Sequence, residues 1–177
     1  MATKTAIVPY LFLTDQGDWN LPEAYLLSLY YGLLADGLGP LVFHDGRIFS
    51  GVEFVDYMQT PGRYVWIGMV GPQAVGYAIM EDLLDRRAYA HFAFRKEFAP
   101  LSLSFGRDWL CSILHRFPVD VLLGTIPSHN LGACMFAENV GFRRVGKVPN
   151  YIWDARRGKP VSATFFYATA ETAREAM

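Results

Sequence analysis

The side chains able to do chemistry in this chain lie in a few short stretches. His91 sits in an extended run from Arg87 to Phe94, where an imidazole can accept a proton near neutral pH. Ser128-His129-Asn130 separates an apolar run, Val119 to Ile126 between Pro118 and Pro127, from a helical stretch. In that stretch Leu131, Cys134 and Met135 recur at helical spacing, and Asn130 suits the cap. Ser102 and Ser104 stand near the start of another helix, opened by Pro100. Tyr151 and Tyr167 place phenols on the last two extended runs. Cys111 and Cys134 fall in apolar helical settings and read as buried reduced thiols, and no spacing suits a metal. A Gly-x-Ser-x-Gly elbow, a P-loop and a dinucleotide fingerprint are all missing, so hydrolase and nucleotide-binding readings lack support.

The elements that must position these residues follow from patterning. Thr5 to Leu13 reads as a first strand. Asn20 and Glu23 form a capping box with Pro22 in the first turn of a helix, whose stripe is Leu26, Leu27, Tyr30, Leu33 and Leu34. Leu41 to Phe43 and Ile48-Phe49 suggest a short hairpin about Asp45-Gly46. Ser50 and Glu53 are a second capping box, for a helix through Met58. Strands are expected at Arg63–Val70, Ala74–Met80 and Arg87–Phe94. A helix from about Pro100 carries Leu103, Leu110, Ile113, Leu114 and Phe117 on one face, with Gly106 there for close approach to a sheet. Gly141 ends the helix after Asn130. Strands Arg143–Trp153 and Val161–Thr169 follow, joined at Arg156–Lys159, and the tail after Thr169 is expected to fray.

A chain of 177 residues and 19.9 kDa is simplest as one domain over 1–177. A hydrophobic fraction of 52% against 19% charged argues for a folded body. Surplus apolar surface would line a pocket or an oligomer interface, such as that of a homodimer. Sixteen basic and seventeen acidic residues provide no broad field for nucleic acid. Without an eighteen-residue apolar run or a signal-peptide pattern, a cytoplasmic protein off the membrane is expected.

Asn130, Ala133, Gly141 and Phe142 occupy the fixed positions of a block that resembles the last conserved motif of the GNAT superfamily, the acyl-CoA N-acyltransferases. Val75-Gly76-Tyr77-Ala78 resembles that family's central hairpin. The order β-α-α-β-β-β-α-β-α-β-β is similar along nearly the whole chain. The resemblance implies an α/β fold with a mixed, mostly antiparallel central sheet, flanking helices and a splayed-strand cleft. It implies transfer of an acetyl group from acetyl-CoA to an amine acceptor. The alternative is an inactive GNAT-fold binding or assembly module, of a kind that occurs among phage and prophage proteins.

By resemblance, pantetheine lies between the strands of Phe94 and Leu123, held by main-chain groups at Phe92 and Phe94 and by Asn130, Ala133 and Phe136. Pyrophosphate would meet the amides of Leu101, Ser102, Leu103 and Ser104 at a helix start, with Arg95 or Lys96 as cation. Pro100 removes one donor there. Family base positions fall on Ala88 and Ala90, and the usual acid tyrosine on Ala137. That leaves His91 and Tyr151 as candidate catalytic residues. Strand parity turns His91 to the face opposite Ala88 and Ala90, which makes it dispensable on this reading.

Overall fold

The sheet takes shape where apolar runs are bounded by tight turns. A computed structural model describes residues 6–8 and 22–176. The strands are β1 (Ala6–Val8), β2 (Tyr64–Val70), β3 (Gln73–Leu84), β4 (Arg87–Phe94), β5 (Val121–Pro127), β6 (Arg143–Asp154) and β7 (Lys159–Ala168). They form one sheet in the order β1-β2-β3-β4-β5-β7-β6, in which only β4 and β5 run parallel. Six helices join them: α1 (Glu23–Ala35), α2 (Gly39–Val42), α3 (Gly51–Met58), α4 (Ala99–Arg116), α5 (Leu131–Val140) and α6 (Ala170–Glu175).

β2 and β3 are buried on both faces because helices cover both sides. Side chains alternate along a strand, so Trp66, Ala78, Met80 and Ala88 join Phe105, Trp109 and Phe166 in one core. Val65, Ile67, Tyr77, Ile79 and Ala93 join Leu26, Leu33 and Phe54 in the other. Burying each large apolar side chain contributes about 1.5–3 kcal/mol. Gly141, at φ 125°, ends α5 in a conformation that favours glycine.

Several expectations change. Position 5, positions 9–13 and Asn20 lie outside the described residues. α1 begins after Pro22 without a side-chain cap, and its buried stripe is Leu26, Leu29, Tyr30 and Leu33. Leu29 replaces Leu34, which is exposed, because the i, i+3, i+4, i+7 pattern starts at Leu26. The expected hairpin at Leu41–Phe49 is instead α2 and a loop. Pro40 in its first turn pre-sets helical φ, and the amides of Leu41 and Val42 donate to Leu38 O. On α4 the buried face is Phe105, Gly106, Trp109, Leu110 and Ile113. Leu103, Leu114 and Phe117 are half-buried. A Cβ on Gly106 would meet Val140 at 2.7 Å, so that glycine brings α4 against α5 rather than the sheet. The tail does not fray at once. Thr169 and Thr172 cap α6 reciprocally. Among the described residues no helix is long and apolar enough to cross a membrane.

Candidate functional site

β4 and β5 pair only from Arg87–Val121 to Tyr89–Leu123. Beyond that point β4 keeps β3 as its neighbour and β5 keeps β7, so the two strands part. A cavity of about 450 Å³ fills the gap. One wall is Ala90 to Phe94, and the other is Gly124 to Pro127. Asn130, Ala133 and Phe136 of α5 close one end, and Leu38, Leu41, Val42 and His44 from the α2 region close another. The Arg95 amide donates to Val75 O at 2.8 Å. Antiparallel hydrogen bonding alternates, so His91 and Ala93 direct their peptide groups to β3, while those of Ala90, Phe92 and Phe94 turn to the gap.

His91 lines this cavity together with Ala90. The faces alternate as parity requires, with Ala90 packed against the α4–α5 core and Ala93, two residues beyond His91, in the α1–α3 core. The expectation that His91 stands away from the cleft nevertheless fails. Once β4 loses β5, its edge is open and both faces border the same space. His91 Nε2 lies 2.8 Å from Glu81 Oε1. The two residues are diagonal neighbours, since His91 pairs with Ile79 and Glu81 with Tyr89. Glu81 Oε2 accepts from Arg63 Nε, and Arg63 in turn donates to Thr60 and the Tyr57 carbonyl and lies over the Tyr57 ring. Burial by itself would raise the Glu81 carboxyl, but His91 and Arg63 overcome that and hold it at about 2. His44, which also lines the cavity, is pushed below its ordinary pKa mainly by burial.

Of the residues expected at the site, Phe92, Phe94, Ser102, Asn130, Ala133 and Phe136 line the cavity. Arg95, Leu101, Leu103, Ser104 and Tyr151 are not among the described lining residues. Tyr151 is exposed and stacks edge-on against Phe165 on the outer strands. Asn130 caps α5 by accepting from the Ala133 amide at 3.2 Å, which leaves its own NH2 group as a donor. Ser128 is bonded to Thr164, and His129 lies 3.5 Å from Asp154. The α2 residues and Glu81 were missed. The Leu41–Phe43 run was legible as apolar but read as a strand, and Glu81 could have been found by registering β3 against β4.

The sequence matches no family model and no curated protein. Solved structures do match. The Vibrio cholerae spermidine N-acetyltransferase, in complex with CoA and spermine, superposes with a TM-score of 0.71 at 11% identity, covering 87% of this chain and 95% of that one. RimJ of Mycobacterium smegmatis, in complex with CoA-disulfide, superposes with a TM-score of 0.72 at 13% identity, covering 87% and 84%. The fold is that of the GNAT acetyltransferases.

Against the GNAT expectation, the α4 entrance is altered. A turn of 3₁₀ helix at Lys96–Phe98 runs directly into α4, which starts at Ala99. The helix therefore begins earlier than the expected anion-binding amides. Those of Ser102, Leu103 and Ser104 fall within the i→i−4 ladder rather than among the unpaired first donors. Arg95 is not among the described lining residues of the cleft either. Its Nε lies 3.4 Å from Asp36, its Nη1 lies 3.1 Å from Glu97, and a Cβ on Gly32 would meet it at 2.7 Å. Burial disfavours the Asp36 charge, but the Lys96 amide and Arg95 hold its carboxyl below the usual range.

Proposed function

We propose that this protein is an N-acetyltransferase that moves an acetyl group from acetyl-CoA to an amine. The observation that carries this reading is the parting of β4 from β5 beyond Tyr89, with β4 peptide groups and an imidazole bordering the cavity between them. The CoA and CoA-disulfide present in the two GNAT complexes support acetyl-CoA as the donor. The cavity walls suit its arm. Phe92, Phe94 and Phe136 offer apolar contact, the Asn130 NH2 can donate to an amide carbonyl, and Ala133 leaves room beside it.

Acetyl-CoA supplies an activated acyl group, which the amine nitrogen takes as the C–S bond breaks, yielding an amide and a thiolate that takes up a proton from solvent. His91 accepts the proton that the amine sheds. Donation from Nε2 to Glu81 leaves the imidazole lone pair on Nδ1, and Arg63 keeps Glu81 ionised and in place. Peptide N–H groups at the β4 edge can polarise the acyl oxygen. Tyr151 is assigned no role in this reading, being exposed and not among the described lining residues of the cavity.

Mass spectrometry of the purified protein, followed by turnover with acetyl-CoA and a panel of amines, tests this reading. The expected result is co-purified CoA or amine-dependent thiol release, with a mass gain of one acetyl group on an amine. A protein that binds no acetyl-CoA at millimolar ligand and acetylates no amine would overturn it.

A further inference from the structure

The acyltransferase reading leaves open which part of the donor is recognised, and the start of α4 bears on that. We propose that this site recognises its donor through the pantetheine arm, with the nucleotide contributing little. The substrate class is then an acylated phosphopantetheine, whether the arm ends in CoA or on a carrier protein.

A nucleotide diphosphate needs converging donors and cations. A helix start supplies them when the N–H groups of its first residues lack partners. Here the Phe98 amide donates to Arg95 O at 3.1 Å, and the Ala99 amide donates to Lys96 O. Pro100 has no N–H. Of the four first-turn positions, only Leu101 is left. The hydroxyl protons are also taken by the helix's own backbone, Ser102 Oγ donating to Ala99 O at 2.7 Å and Ser104 Oγ to Leu101 O at 3.0 Å. Arg95 is held between Asp36 and Glu97 over Gly32, and the exposed Glu97 carboxylate adds negative charge to the same turn. Among the described lining residues Lys96 alone carries a fixed positive charge, and an exposed lysine is screened by salt. The arm, by contrast, meets an open strand edge, aromatic walls and the Asn130 amide. The donors are consumed where the diphosphate would lie and available where the arm would lie.

Calorimetry on the full chain with CoA, 3′-dephospho-CoA and 4′-phosphopantetheine tests the proposal. The expected result is dissociation constants within about threefold of one another. CoA affinity should also fall less than about threefold between low and moderate salt. Phosphopantetheine binding more than about tenfold weaker than CoA, or a steep salt dependence, would overturn the inference while leaving the acyltransferase reading intact. Binding of none of the three at millimolar ligand would overturn both. Turnover with acetyl-CoA against an acetylated carrier protein separates the sources. A lower KM for the carrier assigns the arm to a protein, and a lower KM for acetyl-CoA assigns it to the free coenzyme.

Discussion

At the scale of single residues, the proposed acetyl transfer rests on an imidazole and the carboxylate behind it. Glu81 is mostly buried and bonded on both oxygens, so it fixes the His91 ring rather than meeting an amine itself. His91 is the more exposed partner and borders the cavity. His91→Gln is expected to lower kcat by about a hundredfold or more, the low end for a lost general base, with donor affinity unchanged. Glu81→Gln, at a positioning residue, is expected to lower kcat less and to shift the pH profile. Steady-state rates across pH decide the matter. A His91→Gln enzyme of normal rate and pH dependence would return the residue to a packing role.

At the scale of elements, the cleft depends on close approaches that glycine permits. The Phe94 ring lies across Gly76 of β3, where an added Cβ would meet ring atoms at 2.3 and 2.5 Å. Gly68 of β2 lies beneath the same ring, with an added Cβ 3.0 Å from Phe94 Cζ. These glycines let the aromatic ring seat between β2, β3 and Phe105 while still lining the cavity. Gly76→Ala must displace the ring. Overpacking of this kind destabilises by about 1–3 kcal/mol. The expected outcome is a lowered Tm together with weaker donor binding by calorimetry. Native affinity in a folded Gly76→Ala protein would mean that the Phe94 seat does not shape the site.

At the scale of the whole molecule, Arg63, Glu81 and His91 tie the α3–β2 connection to β3 and β4, so the site is also a fold contact. Glu81 has a folded pKa of about 2 against an ordinary 4.5. A depressed carboxylate contributes stability above its unfolded pKa and loses it as pH falls through the folded value. Stability should therefore decline as pH falls from about 5 to about 2, by about 3 kcal/mol from this group. Urea unfolding at neutral and acid pH measures the loss. Glu81→Gln should lower stability at neutral pH and flatten this part of the acid dependence. An unchanged acid dependence in that variant would show that other carboxylates govern it.

Local signals settled much of this protein. The Ser50–Glu53 box, the run from Arg87 to Phe94, the Asn130 cap and the Gly141 stop are each set by neighbours a few residues away, and each forms as read. So does the order of strands and long helices from Tyr64 to Ala168, because apolar period and turn residues are properties of short windows. Tertiary structure decided what depends on distant partners. Whether β4 and β5 stay together past Tyr89 is a matter of pairing, and so is whether His91 borders a cleft. Arg95 could be read as a phosphate cation until α1 presented Asp36 and Gly32 to it. The amides of Ser102 to Ser104 looked available until the Lys96–Phe98 turn moved the helix start back to Ala99. Charges and amides take whichever partner packing brings first, and that partner can lie sixty residues away in the chain.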